Sequence, residues 1–259
     1  MGEIISLERE GAVGQISLHR PPVNAYNPQF AHELGDAVEG VRSDGRIRAV
    51  IVTSTVPRFF CAGADLKFFQ SSTLDEKVAF ITRMHDVLRT VETMPIVFIA
   101  AITGHCLGGG MEIALACDLR FAAAGTYGLG QPEITLGILP GNGGTQRLPR
   151  LIGKSRALDL MITGRTVSPD EARDLGLVDR VIPAEEHLAK TREYAEAIAR
   201  SATLSVGLIK LAVNRGVEMN LDDGLAYERE VLFRAFQTED SAEGIRAFLE
   251  KRPAAFTGR

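Results

Sequence analysis

The sequence predicts an α/β protein, in which strands and helices alternate along most of the chain. Short apolar runs that fit buried strands are followed by glycine-containing loops and then by stretches with the apolar spacing of helices. Connections of this kind cross over a sheet that helices cover. About 60 residues at the C-terminal end have helical patterns alone. Functional loops are therefore expected at the ends of the strands.

The first half of the chain contains the strand patterns. Residues 3–19 predict two strands that turn at Glu10 and Gly11, because apolar and polar residues alternate on both sides of that turn. A helix with one apolar face and a fully apolar strand follow, and the pattern then repeats. The predicted helices are 28–42, 74–93 and 110–116, and the predicted strands are 49–53, 95–102 and one that begins near residue 119.

The second half is predominantly helical. Helices are predicted at 144–151, 155–163, 168–175, 184–200, 221–236 and 241–251, with a short strand at 178–182. The last two helices carry apolar side chains beside many charges, a mixture that often packs against another subunit. No linker rich in Gly, Ser or Pro precedes them. We divide the chain into a core, residues 1–195, and a C-terminal helical region, residues 196–259.

Composition and charge exclude several classes of protein. The chain has 259 residues, 45% of them hydrophobic and 24% charged, as in a globular protein. A net charge of −4 gives no basic surface for nucleic acid or for an anionic membrane. The longest apolar run, residues 95–103, is too short to cross a bilayer, and the N-terminus does not fit a signal peptide. Three cysteines without metal-ligand spacing indicate buried thiols and a cytoplasmic location.

Two glycine-containing loops predict exposed backbone amides. Residues 104–110 follow an apolar strand and open a helix, but their glycines do not have the dinucleotide-binding spacing. Residues 153–155 match the end of a phosphate-binding loop, but Leu148 stands where its upstream glycine is required. Free amides at a helix N-terminus favour a negatively charged oxygen. Residues 61–65 offer a second set of exposed backbone amides, so the two loops together predict an oxyanion hole.

Two glutamates beside these turns are candidates for proton chemistry. Glu112 follows three glycines, and Glu133 follows Gly130-Gln131-Pro132. Two carboxyls in one pocket can divide acid and base work, and their repulsion raises the pKa of one of them. Taken alone, Glu112 also fits an acid that stabilises a helix N-terminus, and Glu133 also fits an ordinary turn.

Three segments carry a resemblance to a known family. They are residues 60–67 (FCAGADLK), 104–112 (GHCLGGGME) and 130–148, which contain GQPE and PGNGGTQRL. With these segments the sequence resembles the enoyl-CoA hydratase/isomerase (crotonase) family over essentially the whole chain. The resemblance implies a crotonase-like spiral of β-β-α repeats with a C-terminal helical trimerisation region, and commonly a dimer of trimers. It also implies an acyl-CoA thioester substrate, no separate cofactor and no metal.

The resemblance assigns roles to four residues. The amides of Ala64 and Gly109 bind the thioester oxygen as it becomes enolate-like. Glu112 accepts a proton from the water that attacks the β-carbon, and Glu133 gives a proton to the α-carbon of a trans-2-enoyl-CoA. The predicted activity is enoyl-CoA hydratase. An enoyl-CoA isomerase, other acyl-CoA enolate chemistry and a non-catalytic CoA-thioester-binding protein are the alternatives.

The resemblance also implies contacts to the CoA thioester. Phe248 and Lys251 are expected to come from a neighbouring subunit, and Asp65 is expected to fix its loop as well. His105 and Cys61 are interpreted as packed residues rather than as a base and a nucleophile. The predicted contacts are Val23, Ala62, Ala64, Asp65, Leu66, Lys67, Gly109, Gly141, Phe248 and Lys251. Candidates for the acyl-pocket wall, which sets the unknown acyl preference, are Phe68, Phe69, Ile81, Met84, Leu107, Ile138 and Leu139.

Overall fold

The strands of the computed structural model, which describes residues 2–259, form two sheets. Their bounds are β1 (Ile5–Glu10), β2 (Val13–Leu18), β3 (Ala49–Ser54), β4 (Phe59–Cys61), β5 (Val97–Ile102), β6 (His105–Leu107), β7 (Leu119–Ala123), β8 (Leu129–Gly130) and β9 (Arg180–Ile182). The larger sheet has the order β1-β2-β3-β5-β7-β9. β1 and β2 form an antiparallel hairpin, and all later neighbours in this sheet are parallel. The predicted α/β class is confirmed.

The smaller sheet has the order β4-β6-β8, and all its strands are parallel. Each long strand β3, β5 and β7 is followed along the chain by one of these short strands, so the chain advances as a spiral of β-β-α turns. None of the three short strands was predicted from the sequence. Two or three residues are too few to show an alternating pattern, and these strands are held by their neighbours rather than by their own propensity.

The helices surround the two sheets. Their bounds are α1 (Pro28–Ser43), α2 (Leu66–Ser71), α3 (Leu74–Thr93), α4 (Gly109–Ala116), α5 (Gly144–Ile152), α6 (Lys154–Thr163), α7 (Pro169–Leu175), α8 (His187–Ala199), α9 (Thr203–Gly216), α10 (Leu221–Phe236) and α11 (Glu239–Leu249). A 3-10 helix covers Glu133–Leu136. The predicted helices lie within a few residues of these bounds. Helix α2 and the 3-10 helix were not predicted, because each is shorter than two turns. The bounds of α9 were not predicted either, although it lies in the C-terminal region that was predicted to be helical.

The core is built on both faces of the large sheet. Helices α1 and α3 pack together over one face, with Phe30, Met84 and Phe98 fully buried between the layers. Helix α8 covers the other face, where Phe121 and Ala195 are buried. Burial of apolar area from both sides fixes the positions of the strand ends to which the site loops are attached.

The C-terminal helices expose much apolar surface. Among its residues, α10 buries Val231 alone. Exposed large apolar side chains on α10 and α11 are Leu221, Leu225, Leu232, Phe233, Phe236, Ile245, Phe248 and Leu249. This surface supports the expected subunit contact, and the trimer itself stays a prediction. In residues 2–259, no helix has the length and apolarity of a membrane span.

Helix α9 is tied to the core by a buried ion pair. The Lys210 ammonium lies 2.8 Å from the Asp118 carboxylate and donates to the carbonyls of Val91 and Ile96 at 2.8 Å each. The Lys210 side chain is only 4% exposed. A charge buried this deeply must be paired, so these contacts hold α9 against the end of α3, the residue before β5 and the turn between α4 and β7.

Candidate active site

Three loops of the candidate active site follow the three short parallel strands. β4 leads into residues 62–65, β6 leads into Gly108 and helix α4, and β8 leads into residues 131–136. Because the strands are parallel neighbours, their carboxyl ends lie at one edge of the small sheet. The Gly108 amide donates to the Gly130 carbonyl at 2.9 Å. This bond fixes the start of α4 against the segment that carries Glu133.

The predicted oxyanion donors, the amides of Ala64 and Gly109, come from the first two loops. Gly63 has a φ of +95°, which favours glycine, and a Cβ on it would lie 3.1 Å from the Leu107 carbonyl and 3.3 Å from the Gly109 nitrogen. The 62–65 loop therefore lies directly against the start of α4. Neither predicted donor has a hydrogen-bond acceptor within residues 2–259. Two free amides so close together can bind a single anionic oxygen.

Hydrogen bonds on both sides hold the 62–65 loop. The Tyr26 amide donates to the Gly63 carbonyl, and the Asp65 amide donates to the Tyr26 carbonyl, both at 2.9 Å. The Asp65 carboxylate accepts from the Lys67 amide at 3.1 Å and pairs with Arg20 at 2.7 Å. The Asp65 side chain thus caps α2 and fixes the loop.

Glu112 lies in the first turn of α4 and is 1% exposed. Its Oε1 accepts hydrogen bonds from the amides of Asn142 and Gly144, both at 2.7 Å. Burial raises the pKa of Glu112, and the two amide donors oppose that rise because they stabilise the carboxylate. The second oxygen, Oε2, accepts no hydrogen bond from residues 2–259, so Oε2 keeps its capacity to accept a proton.

Glu133 is the first residue of the 3-10 helix, and its carboxyl lies over the Gly108 backbone. A Cβ on Gly108 would lie 2.9 Å from Glu133 Oε1. With its amide nitrogen turned toward Glu133, Gln131 donates to both carboxyl oxygens at 3.0 and 3.2 Å. Burial raises the pKa of Glu133 to about 7, and the charge of Glu112 acts in the same direction. A pKa near neutrality lets Glu133 carry a proton at neutral pH and release it to a substrate.

Comparison with known proteins places this arrangement in a family. The family model described as enoyl-CoA hydratase/isomerase matches residues 8–259. The chain belongs to the enoyl-CoA hydratase/isomerase family. The resemblance carried by residues 60–67, 104–112 and 130–148 is therefore confirmed.

Relatives and solved structures match over nearly the whole chain. A crotonyl-CoA hydratase of Syntrophomonas wolfei is 40% identical over 258 residues, which are 99% of each chain. A short-chain-enoyl-CoA hydratase of Clostridium acetobutylicum is 38% identical over 249 residues, 96% of this chain and 95% of the relative. A solved enoyl-CoA hydratase from Geobacillus kaustophilus superposes with a TM-score of 0.98 at 45% identity, covering 100% of this chain and 98% of the other. The crotonase fold is therefore confirmed.

The predicted CoA contacts of this family member lie mainly around the 62–65 loop. The Val23 carbonyl accepts from the Ala62 amide at 3.0 Å, so Val23 borders that loop. Leu66 and Lys67 are exposed in the first turn of α2. Gly141 is exposed next to the Glu112 donors, and its carbonyl lies 2.7 Å from His85 Nε2. Their contacts with CoA stay predictions.

The two predicted contacts at the C-terminal end are at or beyond the end of α11. Phe248 is 83% exposed, and Lys251 has a φ of +54° and is also exposed. Neither side chain makes a hydrogen bond or an ion pair to the loops of the site within this chain. A contribution to a neighbouring subunit stays the prediction for both.

His105 and Cys61 have the packed surroundings that the sequence analysis predicted. His105 Nδ1 accepts from the Gly128 amide at 3.1 Å, and its ring packs against Phe59 and Tyr127. The Cys61 thiol is fully buried and donates to the Asn24 carbonyl. Burial raises the pKa of Cys61 to about 12, so the thiol is neutral. Neither residue has the surroundings of a base or a nucleophile.

Sequence reasoning missed several polar residues of the site. Gln131 contacts Glu133, His85 contacts the Gly141 carbonyl, and Asn142 both contacts Glu112 and hydrogen-bonds the Tyr26 hydroxyl. The only signal was that Gln131 and Asn142 lie inside the glycine-containing segments. Tyr26 had no signal of its own, because a tyrosine at the start of a helix most often packs in the core.

Proposed function

We propose that this protein is an enoyl-CoA hydratase, which reversibly adds water across the 2,3 double bond of a trans-2-enoyl-CoA to give a 3-hydroxyacyl-CoA. The observation that carries the proposal is one edge of a small sheet with two free amides and two carboxyls in different surroundings. The names of relatives about 40% identical over nearly the full length support the same activity.

Addition begins at the β-carbon of the substrate. The water oxygen forms a bond to that carbon while the Glu112 carboxylate takes a proton from the water. The electrons of the double bond move toward the thioester, whose oxygen becomes enolate-like and accepts hydrogen bonds from the Ala64 and Gly109 amides. Loss of one such donor typically costs about a hundredfold to a thousandfold in rate.

Glu133 completes the reaction at the α-carbon. Its carboxyl gives a proton to that carbon, and the enolate electrons form the new C–H bond. The step leaves Glu112 protonated and Glu133 ionised, so proton exchange with solvent restores the starting state. The surroundings fit this division, because Glu112 Oε1 accepts two amide hydrogen bonds and the pKa of Glu133 is about 7. The carboxyls influence each other and titrate as a pair.

The rest of the assignment follows from the substrate. Coenzyme A enters as part of the thioester, so the reaction needs no separate cofactor.

The exposed apolar side chains of α10 and α11 support a homotrimer or a dimer of trimers, in which Phe248 and Lys251 reach the CoA of a neighbouring subunit. A cytoplasmic location agrees with the three buried free cysteines.

The two glutamates distinguish hydration from isomerisation. An isomerase needs one carboxyl that carries a proton between two carbons, and Glu133 alone meets that need. Hydration also needs a base for water, and Glu112 is held for that purpose by two amides at 2.7 Å. A binding protein without chemistry would gain nothing from burying two carboxyls when the charge of one opposes the ionisation of the other.

The activity is tested with purified protein and a panel of 2-enoyl-CoA thioesters. Loss of the conjugated enoyl-thioester absorbance and a product mass greater by one water are the expected results. Glu112→Gln and Glu133→Gln should each lower hydration by about a hundredfold or more while CoA-thioester binding is kept. Binding without reaction on any substrate, or a product of unchanged mass, would contradict hydratase activity.

A further inference from the structure

The Tyr26 hydroxyl lies on the same face of α4 as the Glu112 carboxyl. A Cβ on Gly109 would lie 1.9 Å from the Tyr26 hydroxyl oxygen, so the phenol crosses directly over Gly109. Gly109 and Glu112 are three residues apart on one helix and therefore share a face. The hydroxyl thus lies against a predicted oxyanion donor, on the face of the helix that carries the predicted base for water.

Asn142 joins Tyr26 to Glu112. The Asn142 backbone amide donates to Glu112 Oε1 at 2.7 Å, and its side-chain Nδ2 donates to the Tyr26 hydroxyl oxygen. One residue therefore fixes both the carboxylate and the phenol. The connection spans 116 positions in sequence, so it depends on the assembled fold.

The Asn142 side chain and the Tyr26 hydroxyl each have hydrogen-bonding capacity that no protein atom among the described residues uses. Asn142 is 1% exposed, yet its Oδ1 has no hydrogen-bond partner in residues 2–259. Tyr26 is 2% exposed, and its hydroxyl accepts from Asn142 without donating to any acceptor in the described chain. Burial raises the pKa of Tyr26 well above its ordinary value, and the charge of Glu112 adds to that rise, so the hydroxyl keeps its hydrogen. Buried polar atoms are seldom left without a hydrogen-bond partner, and the exceptions include atoms that bind a ligand or water in a functional site.

We propose that the Tyr26 hydroxyl and the Asn142 Oδ1 hold the water molecule that Glu112 activates. The hydroxyl donates to the water oxygen, and Oδ1 accepts one of its hydrogens. The second hydrogen then faces Glu112 Oε2, and a lone pair of the water stays directed at the β-carbon. Tyr26 and Asn142 are positioning residues in this scheme, which rests on the proposed hydratase function.

Comparing the rate of hydration with the rate of α-proton exchange distinguishes a role in positioning water from a structural role. Exchange of an α-proton of a saturated acyl-CoA with deuterated solvent needs Glu133 and the two amides but no added water. Tyr26→Phe should lower kcat for hydration by about tenfold to a hundredfold, as misplacement of a reactant does, and should change α-proton exchange less than threefold. Asn142→Ala keeps the backbone amide bonded to Glu112 and should show the same selective loss.

A control variant and a double variant complete the test. Tyr127→Phe also removes a partly buried hydroxyl, one that donates to the Ala123 carbonyl, and should leave the ratio of hydration to exchange unchanged. The double variant Tyr26→Phe/Asn142→Ala should be no slower than the slower single variant, because both residues hold one water.

Three outcomes overturn the proposal. A proportional loss of hydration and exchange in Tyr26→Phe would show a structural role, and hydration within twofold of the unmodified protein would show no role. Fully additive losses in the double variant would show that the residues act separately. If the unmodified protein itself adds no water to any 2-enoyl-CoA, the proposed function fails and this inference fails with it.

Discussion

Replacing Glu133 with glutamine should make the protein more stable at alkaline pH while it suppresses hydration. The carboxyl is largely buried next to Glu112, and these surroundings raise its pKa from 4.5 to about 7. The folded state therefore binds the proton of Glu133 more tightly than the unfolded state does. Its ionisation is a cost of folding that a neutral amide does not have.

The size of this effect follows from the two pKa values. The difference between 4.5 and about 7 corresponds to about 3 kcal/mol in the free energy of unfolding. Below pH 4 the carboxyl is protonated in both states and costs nothing, and between the two values the cost grows until it is complete above pH 7. Because solvent reaches part of the carboxyl, we expect Glu133→Gln to gain about 1–3 kcal/mol at pH 8 and almost nothing at pH 4.

Urea unfolding at pH 4 and pH 8, at one protein concentration, measures this gain. Glu185→Gln, which changes an exposed glutamate in the same way, serves as the control and should be neutral at both pH values. A gain of equal size at both pH values, or a loss at pH 8, would refute the argument that Glu133 holds its proton in the folded protein.

Further predictions concern the pH dependence, the oxyanion loop and the helical region. Hydration should fall about tenfold per pH unit once the pH exceeds about 7, because the acid form of Glu133 is lost; a rate that is flat from pH 6 to 9 would contradict this. Gly109→Ala places a methyl group against the Tyr26 hydroxyl, so hydration should fall by about a hundredfold or more; unchanged turnover would exclude the described contact. Lys210→Met leaves Asp118 without its buried partner and should cost about 3–5 kcal/mol in urea unfolding, whereas a neutral effect would show that the pair does not hold α9.

Much of the site could be predicted because its parts occur together in short segments. Glu112 and Gly109 lie three residues apart, and Glu133 directly follows Gly130-Gln131-Pro132, so their motifs were visible in the sequence. The contact of Asn142 with Tyr26 could not be found this way, because it joins positions 116 residues apart. The short strands β4, β6 and β8 were not predicted for a related reason, because only their pairing with one another makes them strands.

Long strands and helices were predicted well because their apolar periodicity reflects burial. Helix α3, predicted at 74–93, has those bounds in the structure, and a capping box of Thr73 and Glu76 marks its start. Subunit contacts lie beyond such patterns. The exposed apolar stripe on α10 indicates that another protein surface covers it, but the stripe does not identify that surface.

Because β4, β6 and β8 lie in successive turns of the spiral, the site residues that follow one of these strands can be substituted without changing those that follow the others. Each turn contributes its own part of the predicted site: the Ala64 amide, the Gly109 amide with the Glu112 carboxyl, or the Glu133 carboxyl. A substitution at position 112 or 133 leaves the large sheet unchanged, because each carboxyl projects from the first turn of a helix beyond its short strand. Under the proposed function, the two amides that bind the thioester oxygen therefore stay in place while the proton donors around it change independently.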